Sequence, residues 1–383
     1  MKTVLIAEKL WDGARFLDNP FVVLEDGVLA ALGEQGKAEI PAQAERFELQ
    51  GATLAPAFLD VHIHGAAGHD VMEATPEALR AVGGFLATRG TARYLATTVT
   101  ATTDATLQAL DGLARQIEAP AQPACAQPIG IHLEGPFLSH SKRGVHPPEK
   151  LQEPSIELFD RFYEAARGHV KLMTLAPELP GAVELIAHAR TRGVRISLGH
   201  SNATAAETRA AVQAGASSAT HTFNAMRPLD HREPGILGVV LTEPSLYAEL
   251  ICDGVHTAPE MARLWWKAKG AERCLLVTDA MSATGMPDGE YLLGGFPVQV
   301  AEGRAVSGGV LAGSVLTQDR ALRNFLQFTG APLSEALGLL AHNPATMIGV
   351  NNGALQIGAA GNLVAVGSDG RLIASFVHGT RTL

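Results

Sequence analysis

The chain has 383 residues, 46% of them hydrophobic, and a formal net charge of −9 from 30 basic and 39 acidic residues. That length and composition bury a large core and exceed one small domain, so one large domain with a small companion is expected. No long basic run occurs, which argues against a nucleic-acid or anionic-membrane surface, and no stretch reaches the ~20 apolar residues that span a bilayer.

The first ~52 residues read as short strands. Thr3–Ala7, Phe21–Leu24 and Val28–Leu32 are apolar or β-branched runs, punctuated by Asp12-Gly13, Asp26-Gly27 and Gly33. Asp26-Gly27 between two such runs signals a hairpin. The C-terminus is similar, with Asn362–Val366 and Leu372–Val377 separated by Ser368-Asp369-Gly370. Both termini therefore predict one small β domain, a sandwich made of residues 1–53 and 350–383.

Between them the pattern changes. Phe58–His64 reads as a strand, followed by a helix over Thr75–Thr88 opened by Thr75-Pro76-Glu77. Strand-like Arg93–Thr100 precedes helix Thr103–Glu118. Ile129–Leu133, Val170–Leu175 and Val194–Leu198 then alternate with helices Ile156–Arg167, Pro180–Arg192 and Thr204–Ala214. Ser217–Thr222 is followed by a loop, Leu246–Ile251 by helix Pro259–Lys269, and Cys274–Thr278 by helices Thr317–Phe328 and Pro332–Leu340. Strands apolar on both faces suit a parallel sheet covered by helices, and eight such units predict a TIM-like (β/α)8 barrel over residues 54–349. The segment at about 281–313 is too long for an ordinary βα loop and reads as an inserted β-hairpin. Cys125, Cys252 and Cys274 are far apart with no Cys-x-x-Cys. This excludes a cysteine-rich zinc module or disulfide scaffold and, with no signal-peptide-like start, predicts a cytoplasmic location.

Barrel chemistry collects at the C-terminal strand ends. Strand 1 ends His62-Ile63-His64, whose two imidazoles share a face by strand alternation. Strand 3 ends His132-Leu133-Glu134-Gly135-Pro136, strand 5 Gly199-His200-Ser201 and strand 6 Thr220-His221-Thr222-Phe223-Asn224. Strand 7 ends Cys252-Asp253-Gly254-Val255-His256 and strand 8 Thr278-Asp279-Ala280. Each histidine alone has an ordinary structural explanation, and an Asp before a helix is often a cap. Converging on one barrel mouth, they describe the donor set of a divalent-metal hydrolase. Asp279 is placed to accept a proton from water and pass it to a leaving group. A serine nucleophile is disfavoured, because no Gly-x-Ser-x-Gly elbow is present.

The sequence resembles the N-acetylglucosamine-6-phosphate deacetylases of the amidohydrolase superfamily nearly end to end. The resemblance is carried by Gly130-Ile131-His132-Leu133-Glu134-Gly135-Pro136-Phe137, Thr220-His221-Thr222-Phe223-Asn224-Ala225-Met226, Asp253-Gly254-Val255-His256 and Leu311-Ala312-Gly313-Ser314, among other segments. It implies hydrolysis of the acetamide of an N-acetylglucosamine 6-phosphate. It further implies Glu134, His200 and His221 as principal metal ligands and Asp279 as general base and acid. His146 would contact the sugar, and Asn224, Ala225, Arg232 and His256 the sugar phosphate, with Asn224 and Ala225 acting largely through backbone N–H groups. The metal implied is zinc, with iron the alternative, at one or two ions per subunit; the second would be held by His62 and His64, with Glu134 bridging. A homodimer is implied, Arg232 reaching the neighbouring subunit's site. A galactosamine epimer, a related amide, or a non-catalytic metal-binding barrel remain as alternatives.

Overall fold

A computed structural model describes residues 2–37, 40, 41, 43–350 and 353–383. Residues 1, 38, 39, 42, 351 and 352, which fall in the terminal segments expected to form the small β domain, lie outside the described residues.

The two termini meet in one eight-stranded sheet. Lys2–Trp11 runs parallel to Glu45–Pro56, whose second half pairs antiparallel with Leu363–Val366 in the register Leu54↔Ala365. Leu372–Val377 and Thr380–Arg381 extend one edge, and Pro20–Glu25 and Val28–Glu34 the other. Asp26 and Gly27 both have positive φ, 49° and 85°, and close a two-residue turn between Glu25 and Val28. Primed hairpin turns demand that conformation, which is why Asp-Gly occupies it. Leu5, Leu10, Val22, Leu24, Leu54, Leu363 and Phe376 share a core on this sheet.

The middle of the chain forms the barrel. Its strands are β1 (Phe58–Ile63), β2 (Thr91–Thr98), β3 (Gln127–Glu134), β4 (Val170–Leu175), β5 (Arg195–Leu198), β6 (Ser218–Ala219), β7 (Tyr247–Ile251) and β8 (Cys274–Val277). They lie in sequence order, all parallel. The ring closes just beyond the tops of β1 and β8, where Asp279 N–H donates to His62 O at 2.9 Å and His64 N–H to Ala280 O at 2.8 Å. The (β/α)8 architecture expected from the strand–helix alternation is therefore present. Side-chain caps open several covering helices, including Thr75, Thr102, Ser155 and Thr204, the last in a reciprocal box with Glu207.

Three local expectations need correction. β6 is two residues long, because the chain turns away at His221 and Thr222 N–H bonds Glu249 O instead. The stretch expected as loop after it contains a helix, Gly235–Thr242; its sequence GILGVVLT is apolar all round and shows no amphipathic period. The insertion is a four-stranded meander rather than one hairpin: Gly289–Leu293, Phe296–Ala301, Arg304–Ser307 and Val310–Leu311. Its three turns, Gly294-Gly295, Glu302-Gly303 and Gly308-Gly309, all place both residues at positive φ. Among the described residues, no helix is long and apolar enough to cross a membrane.

Candidate active site

The barrel mouth draws titratable side chains from five strand ends into one cluster. Three residues of that cluster have a left-handed backbone: His200 (φ 46°), His221 (29°) and Asp279 (51°). Such conformations cost on the order of 1–3 kcal/mol each and persist where the surrounding fold over-determines them. Here they swing each side chain off its strand toward the axis. Gly135, at φ 87°, allows a close approach: a Cβ there would fall 2.2 Å from Thr100 Oγ1, the hydroxyl that holds His146.

Two triplets of donor atoms result, each within 4.8 Å of one another: Glu134, His200 and His221, and His62, His64 and Asp279. Glu134 Oε1 lies 3.1 Å from His200 Nε2 and 3.2 Å from His221 Nε2. Its other oxygen is 3.1 Å from His64 Nε2, so Glu134 touches both triplets. Asp279 Oδ1 is 3.1 Å from His64 Nε2 and 3.5 Å from His62 Nε2. All six residues are buried.

Ring tautomers follow from the outer contacts. His64 Nδ1 is 3.1 Å from Thr97 O and His200 Nδ1 3.0 Å from Lys142 O. A carbonyl only accepts, so each Nδ1 carries the proton and each Nε2 presents a lone pair. His62 does the same through Glu249 Oε2, 3.3 Å from its Nδ1. The Nε2 atoms of His62 and His64 then face each other at 3.3 Å, and that of His200 lies 3.1 Å from His221 Nε2, with two carboxylates between; His221 Nδ1 has no hydrogen-bond partner among the described residues. Acceptors gathered without donors fit a cation, and neutral imidazole with carboxylate is the donor chemistry of a first-row divalent metal.

Protons and a metal ion compete for these Nε2 atoms. Burial would lower His64, but hydrogen bonds to Asp279 and Glu134 outweigh it and raise it to about 9. His62 is likewise pushed well above its ordinary value against its burial, by Glu134 and Asp279. Burial would raise Glu134 and Asp279, yet the His62 charge and their other histidine contacts hold both below the usual carboxylate range. The carboxylate field that draws protons onto these rings is the field a divalent cation would meet.

The donors open onto a cavity of about 640 Å³. His146 stands in its wall with Thr100 N–H donating to its Nδ1 at 3.3 Å, so its own proton sits on Nε2, the nitrogen that faces Glu134. Burial lowers His146 to about 4, which keeps it a neutral donor. His256 lines the same cavity, its Nδ1 held by Asp253 Oδ2 at 2.7 Å. Asn224 and Ala225 also line it, but the Asn224 backbone N–H, expected to face an anion, donates to His221 O at 3.0 Å. The tight turn after His221 uses that group. Arg232 does not reach this cavity; it is exposed, on a turn closed by Asp230. Lys142 and Arg143 are the cations among the lining residues, and Leu293, Val310 and Leu311 of the meander form part of the rim.

Of the residues beneath the donors, sequence reasoning passes over Asp60 and Glu249, whereas strand alternation puts His132 on one face with Glu134, in a place to support the ligands. Asp60 accepts from His62 N–H and from the Thr278 hydroxyl, and burial raises it to about 6. His132, on the same face of β3 as Glu134, bonds Thr174 Oγ1 at 2.7 Å and packs edge-on to His62. Glu249 lies under His62 and His221. The available signal was a lone carboxylate inside an otherwise apolar strand, at Asp60 and Glu249 alike.

The sequence matches the amidohydrolase family over residues 53–382. It is 39% identical to the N-acetylgalactosamine-6-phosphate deacetylase of Escherichia coli O157:H7, over 92% of this chain and 91% of that protein. It is 38% identical to the N-acetylglucosamine-6-phosphate deacetylase of Lysinibacillus sphaericus, over 86% and 84%. The structure superposes on a mutant N-acetyl-D-glucosamine-6-phosphate deacetylase from Mycobacterium smegmatis in complex with N-acetyl-D-glucosamine 6-phosphate. The TM-score is 0.92 at 36% identity, with 100% of this chain and 99% of that one covered.

Proposed function

The chain belongs to the amidohydrolase family, and from that premise we infer a metal-dependent deacetylase that hydrolyses N-acetyl-D-glucosamine 6-phosphate to D-glucosamine 6-phosphate and acetate. The observation that carries this reading is the pair of buried donor triplets, with Asp279 in one of them, opening onto a cavity of about 640 Å³. The L. sphaericus relative and the substrate complex of the M. smegmatis enzyme support the choice of substrate.

Glu134, His200 and His221 would hold the principal cation, and His62 and His64, with Glu134 between the triplets, a second. A divalent ion there supplies Lewis acidity to the amide carbonyl and makes water a nucleophile near neutral pH. We assign zinc, with iron the alternative, on the imidazole and carboxylate donor set. Asp279 accepts the proton of the attacking water as the C–O bond forms. It then delivers that proton to the amide nitrogen as the C–N bond breaks, so that acetate and the free amine leave. His146 offers its Nε2–H to a substrate oxygen. His256 and the Ala225 backbone receive the phosphate. The enzyme acts as a homodimer in the cytoplasm, Arg232 completing the partner's phosphate site; its exposure, away from its own cavity, supports this.

The E. coli relative favours a second reading, the galacto epimer, in the same site. Acetate release from both N-acetylhexosamines, each with and without the 6-phosphate, tests the assignment on metal-loaded and chelator-stripped protein. The highest kcat/KM is expected for the gluco 6-phosphate, with turnover lost on stripping and restored by zinc. A higher value for the galacto 6-phosphate establishes the second reading, and indifference to the phosphate overturns both.

A further inference from the structure

Glu249 is a fully buried carboxylate in the middle of β7 that the hydrolytic chemistry above does not use. Its Oε2 is 3.3 Å from His62 Nδ1 and 3.2 Å from the backbone nitrogen of His221. One oxygen thus grips a residue from each donor triplet. Its backbone carbonyl also accepts from Thr222 N–H at 2.8 Å, pinning the turn that aims His221. Oε1 has no hydrogen-bond partner among the described residues, and no lysine or arginine pairs with Glu249 there. A buried carboxylate so poorly compensated is costly unless positive charge stands nearby.

We propose that Glu249 is the positioning residue of the second cation: by holding the His62 Nδ1 proton it fixes the tautomer and ring angle that turn His62 Nε2 toward His64 and Asp279. The proposal rests on the reading of His62 and His64 as ligands. A carboxylate behind a ligating imidazole orients the ring and makes the nitrogen a stronger donor, and its removal costs about 10–100-fold in metal affinity. His64 and His200 lean on backbone carbonyls instead. His62 rests on a side chain, so that half of the site is the one a single substitution can loosen.

The test is cobalt titration of metal-free protein, followed by visible absorption, with metal content counted by elemental analysis. The chains compared are wild type, Glu249→Leu, Glu249→Gln, His62→Ala and the Glu249→Leu/His62→Ala double variant. Wild type is expected to take two cations. Glu249→Leu should weaken the second by about 10–100-fold and leave the first intact. Glu249→Gln, which still accepts from Nδ1–H, should recover most of that loss while staying several-fold below wild type. Adding His62→Ala to Glu249→Leu should cost nothing more than His62→Ala alone. A folded Glu249→Leu that binds both cations as wild type does, while His62→Ala loses one, overturns the role of Glu249 and spares His62. If Glu249→Leu does not fold, Glu249→Gln decides, and wild-type affinities in it overturn the proposal. A wild type that takes one cation, unchanged in His62→Ala, overturns the ligand reading and this proposal together.

Discussion

At the residue scale the site is a problem of proton placement. His62, His64 and His200 each donate the Nδ1–H to an acceptor behind them, whereas His146 accepts at Nδ1 and keeps its proton on Nε2. Four buried imidazoles of one chemistry thus divide into lone-pair donors to a cation and a hydrogen-bond donor to substrate. Asp279 differs from Glu134 in position more than in type. It follows the last strand in a left-handed turn and is more exposed to the cavity, with 11% of its side chain accessible against 3% for Glu134. A proton carrier needs that access. In Asp279→Asn the amide cannot take the proton of water, so kcat should fall by about 10²–10⁴-fold. Substrate binding, read by calorimetry on the metal-loaded variant, should change by no more than a few-fold. Turnover near the wild-type rate would remove Asp279 from the mechanism.

At the element scale, β1 and β3 supply His62 and Glu134 themselves, and the loops after the strands supply His64, His200, His221 and Asp279. The β7 loop shows how such a loop is held. Asp253 accepts from the backbone N–H groups of Val255 and His256 and from the His256 ring. Burial would raise Asp253, but the bond to His256 and its charge overcome this and lower it. A carboxyl depressed in the folded state contributes stability that is complete above its unfolded value of about 3.9 and disappears as pH falls through the lower folded value. Urea unfolding of metal-free protein should therefore show wild type more stable than Asp253→Asn at pH 7, with the gap closing below about pH 4. A gap independent of pH would assign the loss to packing rather than to the charge. The meander is the opposite kind of element. Its three two-residue turns are local, but its core of Leu293, Val298, Val300 and Ala305 is completed by Val99 and Met281 of the barrel. It brings apolar rim, not catalytic groups, to the cavity.

At the scale of the whole molecule, each chain carries a complete set of cation donors but leaves Arg232 outside its own cavity. If Arg232 serves the partner's site, two differently crippled chains should repair each other. Arg232→Ala mixed with Asp279→Asn and allowed to exchange subunits gives heterodimers in which one site has both Asp279 and the partner's Arg232. Mixing should recover activity well above the sum of the separate variants, with a dimeric mass by light scattering. Simple additivity would show that Arg232 acts within its own chain or not at all. The terminal sheet matters at this scale by anchoring the barrel's N-terminal side, where the Ser375 and Thr382 hydroxyls both donate to Ala87 O.

The sequence by itself determined the barrel, because parallel strands buried on both faces alternate with capped helices, and these are local patterns. It also located the strand ends where His62, His64, Glu134, His200, His221 and Asp279 stand, since barrel geometry makes every such end a neighbour of the others. It did not reveal the Gly235–Thr242 helix, whose apolar surface has no period, or the extra strands of the meander, whose short runs gave little signal beside three glycine turns. The tertiary structure alone decided the tautomers, the supporting roles of Asp60 and Glu249, and the use of the Asn224 N–H by His221. Most of these depend on which atom of one strand or loop meets which atom of another far along the chain, as Glu249 meets His62 across 187 residues, and no local spacing encodes that; the Asn224 contact is local but follows from the left-handed turn at His221.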